Sequence, residues 1–224
     1  MKEEKKIWEK SFDLINKGKV KLGSYFTYQM MHNTRHLLYA LSRYKFASKM
    51  LVREPAPEVL ELGCSEGIGS LILAENSSKL TAVDFHGKSV EWAQKNVKNA
   101  NIKFIKDDFL SKKYGNFDAV VAIDVIEHIN SKQTNVFLKT IINNLKSNGF
   151  CVIGTPNISA RKFASPESKV AHVNLFTHDR LRQTFAKFFE NIFLFGMNDE
   201  VIHTGFEPMC HYLFVLACLP KRNK

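Results

Sequence analysis

Two hydrophobic periods alternate along the middle of this chain. Short apolar runs bounded by turn residues read as buried strands, and apolar positions returning every three or four residues read as amphipathic helices. By that rule strands are expected at Glu58–Leu62, Leu80–Asp84, Ile102–Lys106, Phe117–Ile123 and Phe150–Thr155. Helices are expected at Ile68–Ala74, Lys88–Asn99, about Lys132–Lys146 and about His178–Phe188, with final strands at Ile192–Met197 and His211–Leu219. Strand–helix alternation predicts an α/β fold, a parallel sheet with helices on both faces. Only the loop Asn198–Cys210 separates the last two strands, so they should pair antiparallel and leave a seven-stranded, mostly parallel sheet with a reversed last strand.

The N-terminal part follows a different pattern. Residues 1–32 are basic and amphipathic, with Ile7, Trp8, Phe12 and Ile15 on one helical stripe. Asn33 suits the N-cap of a helix reaching about Val52, with Leu37, Leu41, Tyr44 and Met50 on its apolar face, and Pro55 and Pro57 end it. The expected organisation is a helical cap over 1–54, an α/β domain over 55–220 and a basic tail over 221–224.

The stretch "VLELGCSEGIGS", Val59 to Ser70, is a strand running into a glycine-rich turn and a helix. Glycines permit positive φ and close approach of backbone to a ligand. Asp84 ends the next strand, 21 residues after Gly63, where an acid can hold a ribose diol in a doubly wound nucleotide site. The spacing is not GxGxxG, and Glu61 would repel a pyrophosphate while favouring a cationic or amino-bearing ligand. Asp107 and Asp108 follow the third strand, where a carboxylate can accept from an adenine amino group.

Together "ELGCSEG", Asp84, Asp107-Asp108 and "FDAVVAIDVIEHI" resemble class I S-adenosylmethionine-dependent methyltransferases, most nearly the small-molecule O-methyltransferases of the ubiquinone-biosynthesis type. The resemblance covers Val59 to Pro156; Ser65 departs from the usual middle glycine. It implies a Rossmann-like fold and S-adenosyl-L-methionine as cofactor. Carried over, Glu61, Gly63 and the turn residues Cys64, Ser65, Gly67 and Gly69 hold the methionine portion. Asp84 takes the ribose hydroxyls and Asp108 with Phe109 the adenine, with Phe85 and Ile123 also among the expected contacts.

In an open parallel sheet ligands bind outside the carboxyl ends of the strands. "AIDVIEHI" leaves the fourth strand there, so its polar residues can line a site. Methyl transfer from a sulfonium needs an aligned acceptor and removal of its proton. His128 is the expected general base, with Asp124 orienting it or touching the cofactor, and Glu127 reads as a helix-start charge. Tyr28, His32, His36 and Arg43 from the cap, and His172, Asn198 and His203 from the loops, are candidate acceptor contacts, as are Tyr25, Asn174, Asp199 and Glu200. His32 and His36 have i,i+4 metal spacing, but no HExxH pattern surrounds them, and no metal is expected.

Charge and cysteine usage narrow the partners. The net charge is +10, but the two termini carry +6 of it, which argues against a nucleic-acid partner. No Asn/Asp-Pro-Pro-aromatic loop or nucleophilic Pro-Cys follows the fourth strand, as a base-modifying enzyme would require. The N-terminal stripe is short and interrupted by Glu9 and Asp13, which argues against a membrane-surface role. Four cysteines form no CxxC pair, and neither a secretory signal nor a spanning segment is read, so the cytoplasm is the expected location. The expected activity is methyl transfer to a small-molecule or glycan-precursor acceptor at oxygen. The alternatives are N-methylation, nucleic-acid methylation and non-catalytic cofactor binding; oligomeric state is left open.

Overall fold

Strand β4 (Phe117–Ile123) is buried along its whole length and stands at the centre of the sheet. The computed structural model describes residues 2–15 and 21–221, so the tail residues 222–224 and the side chain of Ile15 lie outside the described part. β1 (Glu58–Leu62), β2 (Lys79–Asp84), β3 (Ile102–Lys106), β4 and β5 (Leu145–Pro156) run parallel. β6 (Phe189–Asn198), β7 (Val201–His203) and β8 (Tyr212–Pro220) complete the sheet in the order β3-β2-β1-β4-β5-β8-β6-β7. β8 is antiparallel to both β5 and β6 and is inserted between them. The reversed last strand expected from the sequence is therefore present.

Side-chain alternation along the strands divides the core into two layers. Leu60, Leu62, Val120 and Ala122 face α6 (Thr134–Asn144) and α8 (His178–Ala186), packing with Phe137, Ile141, Leu181 and Phe185. Val59, Ala119 and Val121 face α3 (Thr34–Met50) and α4 (Ile68–Ala74), packing with Tyr44, Ala47, Leu51 and Leu73. Cys64, Ala82 and Phe104 extend that second layer under α5 (Gly87–Asn96). A charge inside β4 is tolerated because Asp118 accepts from Arg53 at 2.6 Å, from Lys146 at 2.9 Å and from the Glu58 amide at 3.0 Å.

Several expectations shift. The sheet has eight strands, because Val201–His203 folds back on β6 within the stretch read as a loop, around a turn with Asp199 at φ 50. Three residues are too few for a period of two to stand out. α6 stops at Asn144, two residues before the expected end at Lys146. The buried Asn144 side chain there accepts the Tyr114 amide at 2.6 Å and donates to the Lys112 and Thr140 carbonyls. α5 likewise ends at Asn96, short of Asn99. The N-terminal region forms α1 (Lys2–Ile15), α2 (Ser24–His32) and α3, with α3 packed on the sheet. Ile7, Trp8 and Phe12 of α1 are exposed. No helix among the described residues is long and apolar enough to cross a membrane.

Candidate active site

The turn after β1 is built for close approach. Gly63 has φ 84, and a Cβ there would run into Val125 at the end of β4. Gly69, in the first turn of α4, lies under the Tyr44 ring with no space for a side chain. Glu61 is buried beneath this turn, where its Oε2 accepts from the Ser70 hydroxyl at 2.5 Å. Burial pushes its pKa up to about 7, although Ser70 and the neighbouring Tyr44 favour the charge, and Oε1 has no hydrogen-bond partner.

Asp84 ends β2 facing the same turn. One carboxylate oxygen accepts the Ser65 amide at 2.8 Å and the other the His86 amide at 2.8 Å. A carboxylate offers about four acceptor sites, so capacity for a diol remains. Phe85 beside it is exposed. Asp108 is exposed and accepts the Leu110 amide at 3.2 Å, Asp107 accepts from Tyr114, and the Phe109 ring is buried against Phe137. Glu61 and the glycine turn, Asp84, the half-buried Asp107 and the exposed Asp108 therefore lie along the ends of β1, β2 and β3, with Ile123 closing β4 beside them.

Beyond β4 the chain turns sharply. Asp124 takes φ 56, uncommon for a residue with a side chain and a frequent mark of a functional position. Its Oδ2 accepts from Arg43 Nη1 at 2.8 Å, and the Arg43 guanidinium lies 4.0 Å from the Tyr212 ring centre. Burial works against the Arg43 charge, but Asp124 and Tyr212 outweigh it and hold the group protonated. Arg43 Nε is buried without a partner.

Glu127, read as a helix-start charge, does stand in the first turn of a short helix but is buried there. It is fully buried, its Oε2 accepts from Thr155 Oγ1 at 3.1 Å and its Oε1 is unpartnered. Burial first, and Asp124 next, raise its pKa well above the usual carboxylate range. The segment forms a short 3-10 turn, Ile126–His128, where helical spacing does not predict the buried face.

A cavity of about 880 Å³ opens between α2–α3 and the stretch after β5, bordered by Arg43 and Tyr212. Tyr25, Tyr28, His32, His36, Arg43 and His172 all line it, so six of the eleven candidate acceptor contacts are brought together. Asn198 and His203 are not: they face one another at 3.4 Å across the β6–β7 turn. His32 and His36 sit on separate helices either side of Asn33, so their i,i+4 spacing is not that of one helix. His128, expected as the base, is not among the lining side chains. Its ring packs edge-on to His172 with centres 5.0 Å apart, and its Nδ1 lies 3.1 Å from the Ala171 carbonyl. His172 reaches the cavity, and burial, with His128 next to it, lowers its pKa and keeps the imidazole neutral. Glu127, His128 and His172 each present a possible ligand atom within 4.8 Å of the others, so this group could share a metal ion.

Glu66 was not singled out by its sequence. Its buried carboxylate accepts the Tyr25 amide at 3.1 Å and the Phe26 amide at 3.4 Å, capping α2 from the glycine turn. A side chain on Gly23 would collide with it. Nothing local to "CSEG" reveals a partner some 40 residues away.

Comparison with known proteins fits this geometry. Residues 59–149 match a methyltransferase domain family. Over residues 59–149 the chain is thus similar to a methyltransferase domain, and it shares its fold with solved methyltransferase structures. Among curated relatives, the ubiquinone biosynthesis O-methyltransferase of Rickettsia akari is 30% identical over 112 residues, 48% of this chain and 43% of that protein. The chain thus spans under half the length of the curated relatives it matches. Among solved structures, the N-methyltransferase NodS from Bradyrhizobium japonicum aligns over 85% of this chain and 99% of its own, with a TM-score of 0.61 and 16% identity. A possible histamine N-methyltransferase from Thermotoga maritima aligns over 87% and 93%, with a TM-score of 0.65 and 17% identity.

Proposed function

We propose that this protein transfers a methyl group from S-adenosylmethionine to an oxygen atom of a small molecule seated in the cavity beside Arg43 and Tyr212. The observation that carries this reading is the junction at the end of β4. The glycine cradle meets Val125 on one side, and on the other Asp124 anchors Arg43 of the cavity wall. The O-methyltransferase relatives favour oxygen over nitrogen.

The cofactor, when bound, supplies an electrophilic methyl group open to in-line displacement. The residues of this chain do the rest. Glu61, once ionised, balances a cationic ligand in a site that excludes water. Asp84 fixes a diol through two charge-assisted hydrogen bonds. The neutral His172 takes the acceptor proton, with His128 and the Ala171 carbonyl holding the pair of rings in place. α2, capped by Glu66, covers the acceptor so that it approaches in one orientation.

Calorimetry with S-adenosylhomocysteine tests the cradle. Asp84→Ala should weaken binding by about a hundredfold, the loss of two hydrogen bonds to a charged group. Unchanged affinity in that variant removes Asp84 from the map. Mass spectrometry of a labelled product then locates the methyl group, and a nitrogen-bound label overturns the oxygen assignment.

A further inference from the structure

The cavity wall carries positive charge that the protein leaves unbalanced. Arg161 and Lys169, both from the stretch joining β5 to α8, line the cavity and have no ion-pair partner among the described residues. Lys162 adds a third cation on the same stretch, 4.8 Å over the Phe163 ring. Two nearby carboxylates are otherwise engaged. Asp124 is paired with Arg43, and Glu127 is fully buried against Thr155. Glu167 also lines the cavity, from the first turn of α7 (Pro166–Ala171), where backbone amides and Ser165 favour its charge; it offsets one of the two cations, and beyond the Arg43–Asp124 pair the lining keeps a net charge of +1. Tyr25, Tyr28 and Phe163 contribute rings to the wall, among histidines and small polar side chains.

A concave site with a net cationic rim and aromatic sides concentrates anions and disfavours cations. The guanidinium fork matches a carboxylate or phosphate in two parallel hydrogen bonds, which a neutral hydroxyl group cannot reproduce. At about 880 Å³ the cavity falls in the upper part of the usual range for small-molecule sites, roughly 300–1,000 Å³, so it admits a body much larger than one ring.

We propose that the methyl acceptor is an anionic amphiphile, whose carboxylate or phosphate is held by Arg161 and Lys169 while its apolar body lies against Tyr25, Tyr28 and Phe163. This rests on the cavity being the acceptor site. It adds a substrate class and two specificity-determining residues far in sequence from the glycine cradle.

The test uses the full chain saturated with S-adenosylhomocysteine and two fluorescent probes of similar shape. One is anilinonaphthalene sulfonate, which is anionic; the other is N-phenylnaphthylamine, which is uncharged. At low salt the sulfonate should bind about tenfold more tightly, the contribution of one charge-assisted contact. The double variant Arg161→Glu, Lys169→Glu should abolish that preference and leave the uncharged probe within about twofold of its original affinity. Equal affinities in the native chain, or a preference that survives the double variant, overturn the proposal. Both side chains are exposed, and calorimetry with S-adenosylhomocysteine on the same samples reads the fold and the cradle separately. Loss of that binding in the native chain would overturn the methyl-transfer reading instead.

Discussion

Glu61→Gln separates what the buried carboxylate costs the fold from what it gives the ligand. The folded chain holds the Glu61 proton more tightly than an unfolded chain does, with a pKa of about 7 against 4.5. Stability from this group is therefore fully present below pH 4.5 and is lost as pH rises through 7. At about 1.4 kcal/mol for each pKa unit, the loss approaches roughly 3 kcal/mol on the alkaline side. Glutamine keeps the shape and a donor or acceptor for Ser70 and Tyr44 but never ionises. Without ligand the variant should match the native protein near pH 5 and melt about 6–12 °C higher near pH 8, given roughly 2–4 °C per kcal/mol for a domain of this size. Other buried acids, Glu127 included, titrate alike in both proteins and cancel in the difference. With S-adenosylhomocysteine the order should reverse under the proposed placement of Glu61 by the ligand's amino group, because glutamine carries no charge to balance it. Differential scanning calorimetry across pH, with and without ligand, gives both comparisons. Melting curves that stay parallel across pH would refute the argument.

Three further outcomes follow from contacts at the site. His172→Ala should lower turnover by about a hundredfold or more while leaving cofactor affinity unchanged, and the same loss in His128→Ala alone would move the base to His128. Arg43→Met should cost about 1–3 kcal/mol in chemical denaturation, because it leaves the partly buried Asp124 without its partner, and adding Asp124→Asn should recover much of that. Glu66→Gln should speed hydrogen exchange at the Tyr25 and Phe26 amides by weakening the cap on α2, by about 1 kcal/mol, with exchange in the sheet unaffected.

The centre of the parallel sheet was legible because β1, β2 and β4 are buried on both faces. β4 reads as an apolar run broken only by Asp118, and Glu58–Leu62 and Ile102–Lys106 were placed to the residue. Asp84 was legible because a strand end, a glycine turn and a fixed spacing converge on it. Features that depend on pairing between distant segments left little local trace. β7 exists only because the β6 edge offers three residues a ladder. Glu66 meets α2 across about 40 residues of intervening chain. Asn198 was assigned to the correct edge of the sheet, since β6 runs in the same direction as β5, yet the β6–β7 turn closes it onto His203.

α3 explains why the cavity wall was half visible. Tyr44 of the expected apolar stripe faces the sheet with Ala47 and Leu51 at helical spacing beside it, whereas Leu41 and Met50 are only half-buried. Each residue turns about 100° from the last, so Arg43 leaves that face for the flank beside Tyr44. His36 lies seven residues earlier, about two turns away, and emerges on the same flank. Sequence periodicity thus defines two stripes on one helix, one apolar and one carrying His36 and Arg43. It does not say which way the second stripe looks. That is decided by the position of α3 over β1 and β4, which brings the flank to their carboxyl ends and lets Asp124 reach Arg43. The helix that stabilises one face of the sheet therefore also supplies part of the acceptor wall. Substitutions along the apolar stripe should accordingly weaken the fold and displace Arg43 together, whereas substitutions at His36 should touch the cavity alone.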